Sequence, residues 1–240
     1  MAYGNTYEEA KAGFSHPAVF DDSDRRIIHA INEPEFSLAC SILKKGASSP
    51  MYKPGVLYVE SGSLNIDGFP ASAGRVIEVP NLGAKAPLMK VEENARVYFF
   101  TGPEAEKIKF LQDKFTSDVR DKYWGKIETI VSREFSGKRI FMKAGTLSSL
   151  EYHVHKKESY YLQQGKLRVG VRVGRAENRA VILNPGDAFI MPPGLMHMRI
   201  AEEDCVIIEA STKDEDSDSH IVEDGQKLAY EDAIKTYKPE

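Results

Sequence analysis

The sequence predicts an all-β protein of two β-barrels joined by a linker helix. Three observations carry this expectation. Short apolar, β-branched and aromatic runs recur along most of the chain, separated by Gly, Pro, Asn and Asp, which is the spacing of an antiparallel sandwich or barrel. Two stretches share one pattern: Lys44-Lys45-Gly46-Ala-Ser-Ser before Val56–Leu64, and Lys143-Ala144-Gly145-Thr-Leu-Ser-Ser before Tyr160–Leu167. Between them, a single stretch shows helical spacing.

In order, residues 1–35 read as an irregular N-terminal arm with one short helix at Thr6–Ala12. Residues 36–101 read as a first barrel, with strands at Leu38–Leu43, Gly55–Glu60, Leu64–Ile66, Arg75–Val79, Leu88–Val91 and Arg96–Thr101. Residues 102–122 read as the linker helix. Gly102-Pro103-Glu104 suits a helix start, and Ile108, Leu111, Phe115 and Val119 form one apolar stripe. Residues 123–212 read as a second barrel, with strands from Glu128–Val131 through Ser149–His155 and Ser159–Gln163 to Cys205–Ala210. Residues 213–240 read as a polar tail with a helix near Tyr230–Thr236. Within that tail, Asp214–Asp218 lacks the glycine and distal Glu of a calcium loop and reads as a solvated turn.

Composition bounds the partners. A chain of 240 residues with 42% hydrophobic and 28% charged residues is an ordinary globular protein. The net charge of −4 and pI near 5.9 speak against nucleic acid or an anionic membrane as partner. Cys40 and Cys205 lie in apolar runs and read as small core residues. The N-terminus lacks the pattern of a signal peptide, and no apolar run approaches the roughly 20 residues that span a bilayer, so a cytoplasmic location is expected.

The chemistry concentrates in the second barrel. Glu151, His153 and His155 alternate along one strand, so they project from one face at about 7 Å intervals. Glu158 follows the turn at Lys156-Lys157 and returns toward the same cavity, and His197 follows the turn Pro192-Pro193-Gly194. Imidazoles and a carboxylate converging in this way hold a divalent ion. The expected ligands are His153, His155, Glu158 and His197. Glu151 and Glu158 are the candidate catalytic carboxylates, and Glu151 also suits a further ligand. Tyr160, two residues past Glu158, and Arg199, two past His197, are the candidate substrate contacts, Arg199 as an anion anchor. Arg168 and Arg172 alternate with apolar residues and are expected to face solvent. No histidine lies between His29 and His153, so the first barrel is expected to hold no metal.

The pattern Gly145-x(7)-His153-x-His155-x(2)-Glu158-x(6)-Gly165, then Pro192-Pro193-Gly194-x(2)-His197, resembles the two motifs of the cupins, which are jelly-roll barrels. Over roughly residues 122–226 the chain resembles the cupin module of type II mannose-6-phosphate isomerases. There a Leu-Ser-Leu-Gln-like strand runs into the histidines, matching Leu147-Ser-Ser-Leu-Glu151. It departs from them at Glu151, where they carry Gln, and at Ile221 and Gln226, where they carry Arg. The resemblance implies a bicupin with one divalent ion (Zn, Mn, Fe or Ni), a carbohydrate-like small-molecule substrate and a homodimer. Its implied activity is isomerisation or epimerisation of a sugar or sugar phosphate. The same ligands also suit an Fe(II)-dependent small-molecule dioxygenase or a non-catalytic ligand-binding bicupin.

Overall fold

The computed structural model describes residues 11–81, 85–115 and 118–239. It is built from strands that pair antiparallel, save Arg179–Leu183 with Lys238–Pro239, and has one short α-helix at Tyr230–Thr236 among the described residues. The chain divides into two compact units: residues 17–118 with 129–137, and residues up to His16 with 119–128 and 138–240.

The first unit is one sheet in the order Gln112–Phe115, Arg75–Val79, Gly55–Ile66, Leu88–Thr101, Ser37–Leu43, Arg25–Asn32 and Ala18–Asp21. Leu57, Val59, Leu64, Ile66, Ile77, Val79 and Val97 make its core. Two expectations are corrected here. Arg25–Asn32, read as part of an irregular arm, is an eight-residue strand. Its buried residues Ile28, Ala30 and Ile31 break strict alternation because the pairing shifts by one residue between His29 and Ile31. The helix expected at Thr6–Ala12 falls almost wholly outside the described residues.

The linker helix is the second correction. Only Pro103–Lys107 coils, as a 3₁₀ turn, and Gln112–Phe115 and Asp118–Lys122 are strands. The apolar stripe does not share one buried face: Ile108 is buried, whereas Val119 is exposed. A buried carboxylate settles the conformation instead. Glu78 is 3% exposed and accepts hydrogen bonds from Gln112 and Arg133, with Lys114 at 3.1 Å. Gln112 lies directly across from Glu78 in an antiparallel pair, so the strand supplies the donors that a buried carboxylate requires.

The second unit has two sheets. One runs Phe14–Ser15, Ala188–Met191, Glu158–Gln164 and Cys205–Thr212. The other runs Ser219–Glu223, Leu150–His153, Met196–Ala201, Leu167–Arg172, Arg179–Leu183 and Lys238–Pro239. Trp124, Ile140, Tyr160, Leu162, Val169, Phe189 and Ile207 belong to its core. The helix expected near Tyr230–Thr236 is present. It brings Ala233 and Tyr237 onto Leu150, Met198 and Ile200. Gly170 lets the Tyr237 ring approach, because a Cβ there would lie 2.8 Å from it.

The internal repeat is visible in backbone geometry. Gly62 and Gly165, equivalent in the two copies, both have positive φ, at 79° and 88°. A Cβ on either would strike a carbonyl oxygen, that of Asn94 at 2.2 Å or that of Asp204 at 2.3 Å. Only glycine meets both conditions. Cys40 and Cys205 form no disulfide and are buried in their respective units.

Candidate metal centre

The strand Leu150–His153 lies between Met196–Ala201 and Ser219–Glu223, and the register sets Glu151 across from His197 and His153 across from Ser219. Glu151, His153 and His197 each offer a ligand atom, all within 4.8 Å of one another. Glu158, from the opposite sheet, joins them, with Oε1 2.6 Å from His197 Nε2 and Oε2 3.5 Å from His153 Nε2. His153, Glu158 and His197 are buried.

Both imidazoles are fixed from behind. His153 Nδ1 donates to the Asp218 carbonyl oxygen at 3.0 Å, and His197 Nδ1 donates to the Leu195 carbonyl oxygen at 2.9 Å. A carbonyl cannot donate, so each Nδ1 carries a proton and Nε2 is the ring atom turned toward the cavity. His197 Nε2 and Glu158 Oε1 approach to 2.6 Å without hydrogen-bond geometry, and Nε2 is buried without a hydrogen-bond partner. A ring nitrogen and a carboxylate oxygen that close share a cation between them, either a proton or a metal ion. Two Nε2 atoms and two carboxylates are the donor set of a divalent ion, so the residues fit one.

His155 is the ligand expectation the structure overturns. It is exposed and stands outside this group. The strand ends at His153, and the period-two alternation ends with it. Asp218 causes the turn: its carboxylate accepts the backbone N–H of Val154 (2.9 Å), His155 (3.1 Å) and Lys156 (2.9 Å). Three successive N–H groups drawn to one point turn His155 outward and Lys156 inward. Lys156, 4% exposed, sets its ammonium 2.6 Å from Glu158, 2.8 Å from Glu209 and 2.9 Å from Asp214. Lys138 adds a second ammonium on Asp214 at 2.7 Å.

The charges are well defined. Burial opposes ionisation of Glu158, but Lys156 and then His197 outweigh it and hold the carboxyl well below its ordinary value. Burial likewise opposes charge on Lys156, yet Glu158, Glu209 and Asp214 hold its ammonium well above the ordinary range. Glu151 is lowered: burial raises it, and Arg199 and His197 outweigh that. Its carboxylate accepts from Ser219 Oγ at 2.7 Å and Arg199 Nη2 at 3.3 Å.

Arg199 and Tyr160 both reach the site. The buried Arg199 guanidinium lies 5.3 Å from the Trp124 ring centre and 5.5 Å from that of Tyr160, and its Nε has no hydrogen-bond partner. Tyr160 donates to Glu158 Oε1 at 2.8 Å and is fully buried, so it supports the carboxylate. Arg168 and Arg172, expected at the solvent face, are half-buried; Arg168 donates to the Tyr237 carbonyl at 2.7 Å. The cavity of about 520 Å³ in front of these groups has room for a small molecule beside an ion.

Sequence reasoning missed Lys156, Lys138, Glu209, Asp214, Asp218 and Ser219. The acidic run Asp214–Asp218, read as solvated, has two of its acids turned inward. The detectable signal was Lys156 itself: a lysine two residues from the motif glutamate needs acids of its own once buried.

Residues 127–229 match the family model described as Cupin. No curated protein matches. Among solved structures, the chain is similar to an oxalate decarboxylase–formate complex from Lactobacillus farciminis, with 13% identity, TM-score 0.66, and 86% of each chain covered. It is also similar to oxalate decarboxylase of Bacillus subtilis. A serine-to-alanine mutant of that enzyme gives 15% identity and TM-score 0.65, and a study of its Mn(II) centres gives 13% and 0.65, each covering 86% of this chain and 77% of the other. The fold is therefore that of those enzymes, and the segment that carries Glu151, His153, Glu158 and His197 is the one that matches the Cupin model.

Proposed function

We propose that the second unit binds one divalent ion through His153, His197 and Glu158, with Glu151 beside them, and that the protein is an enzyme of a small, oxygen-rich hydroxy-carbonyl compound, carbohydrate-like in character. The observation that carries this reading is the convergence of Glu151, His153 and His197 within 4.8 Å at a polar cavity. When bound, the ion supplies Lewis acidity toward a carbonyl or hydroxyl oxygen. Glu151, ionised and oriented by Arg199 and Ser219, takes a proton from the carbon beside the carbonyl. Its return to the former carbonyl carbon, with the hydroxyl proton passing to the carbonyl oxygen, is isomerisation, and its return to the same carbon on the opposite face is epimerisation. Trp124 and Tyr160 hold Arg199 in place, where its free Nε–H can donate to a substrate oxygen.

Charge supports an uncharged substrate. Five basic and seven acidic side chains line the cavity, a balance of 5 − 7 = −2 that one divalent ion neutralises. A neutral polyol enters such a site more readily than a dianion. The likeness to type II mannose-6-phosphate isomerases is in accord with this substrate class, and the absence of Arg at Ile221 and Gln226 favours a sugar over a sugar phosphate.

A second reading has one observation of its own. Arg199 is buried with an unpartnered donor, and the similar solved structures are titled oxalate decarboxylase, one with formate bound. A Mn-dependent reaction on a small carboxylate suits that arginine.

Protein purified without added metal should carry one divalent ion per chain by elemental analysis, and His153→Ala and His197→Ala should each abolish it. Under strict anaerobiosis, wild type should wash solvent deuterium into a candidate aldose or ketose. Glu151→Gln should slow that exchange about 10²–10⁴-fold. Oxalate consumption without deuterium wash-in transfers the assignment to the second reading. Oxygen consumption tied to turnover selects the dioxygenase, and a loaded protein inert in all three assays is a binding module.

A further inference from the structure

We propose that Lys156 is a built-in counter-cation for Glu158, which weakens the site's hold on its divalent ion and keeps that ion exchangeable. The inference rests on the metal-binding reading above and concerns a residue outside the ligand set. Lys156 Nζ lies 2.6 Å from Glu158 Oε2, the oxygen that also faces His153 Nε2 at 3.5 Å. An ion ligated by His153 and His197 has to share this carboxylate with an ammonium already bound to it.

The arrangement is built, not incidental. Lys156 is 4% exposed, so its charge is not screened by water. It is turned inward by the three backbone N–H groups of residues 154–156 on the Asp218 carboxylate. Glu209 at 2.8 Å and Asp214 at 2.9 Å hold the ammonium from the far side. Lys138, itself on Asp214 at 2.7 Å and 3.3 Å from Glu209, draws on the same two acids. Glu158 therefore sits between two cations, one supplied by the chain and one from solution. Like charges a few ångströms apart in a buried site repel strongly enough to shift affinity by about tenfold or more.

This geometry predicts opposite effects at two touching residues. Lys156→Met keeps the stem and removes the charge, so Glu158 is released to the ion and Mn(II) binding tightens about tenfold or more. Glu209→Gln removes an acid that restrains Lys156, so the ammonium engages Glu158 more fully and Mn(II) binding weakens severalfold. Lys156→Arg keeps the charge and stays within about threefold of wild type. A purely packing role would weaken binding in all three variants.

The measurement is Mn(II) affinity from the free-ion EPR signal during titration of metal-stripped full-length protein, with far-UV circular dichroism to confirm the fold. Equal or weaker affinity in folded Lys156→Met overturns the proposal. If that variant does not fold, Glu209→Gln decides, and unchanged or tighter binding there overturns it. A wild type that takes up no Mn(II) beside a Lys156→Met that does would refute the enzymatic reading while supporting this one. No uptake by either refutes both.

Discussion

At Asp214 one carboxylate meets two ammonium groups, Lys138 at 2.7 Å and Lys156 at 2.9 Å. Burial pushes its carboxyl up, but Lys156 and then Lys138 outweigh that and hold it at about 2, below the ordinary 3.8. A group whose value is depressed on folding contributes stability that is full above its unfolded value and is lost as pH falls through the folded one. The window is therefore from about pH 4 down to pH 2, and the contribution at neutrality is roughly 2 kcal/mol. Asp214→Asn should lower the unfolding free energy by about that amount at pH 7, and the gap to wild type should close as pH drops toward about 2.5. Urea titrations at pH 7, 4 and 3 measure it, and a gap that stays constant contradicts the ion-pair account. Sequence could not identify this residue, because Asp214 occupies a polar stretch whose acids look alike until the fold selects which ones face Lys156. The glycines were legible, since Gly62 and Gly165 recur in a repeat and their positive φ is a local requirement.

Between residues and the fold stand elements whose ends decide what faces where. The strand Leu150–His153 is legible from alternation, which correctly set Glu151 and His153 on one face. Where it stops is not legible, because the stop is imposed from 62 to 64 residues away by Asp218. The linker shows the same limit: helical spacing from Ile108 to Val119 is a local signal, and the donors demanded by buried Glu78 are not. Asp218→Ala should release three N–H groups, each costing about 1–3 kcal/mol if left unpaired. Water can reach the exposed Val154 and His155, so the net loss should be roughly 2–4 kcal/mol. Hydrogen exchange should quicken specifically at amides 154–156, and Mn(II) affinity should change because Lys156 is no longer held inward. Unchanged protection at these amides would falsify the assignment of Asp218 as the organiser of this turn.

Across the whole molecule, the chain repeats one barrel plan, and among the described residues the clustered His and Glu side chains lie in the second copy. The first unit keeps a core of its own, centred on Leu57, Val59, Ile77 and Val97, and its histidine in the described strands is His29. The second unit has the converging Glu151, His153 and His197, the buried Lys156 and the cavity. Ligand binding stabilises the state that holds the ligand by RT ln(1 + [L]/Kd), about 2.7 kcal/mol at a hundredfold excess over Kd. That gain belongs to amides whose opening exposes the site. Mn(II) should therefore saturate at one ion per chain and slow exchange in residues 150–164, 196–201 and 205–212. Residues 37–101 should exchange at the same rate with and without the ion, and His29→Ala should leave the stoichiometry at one. A second equivalent, or added protection within residues 37–101, would show that the first barrel takes part in binding after all.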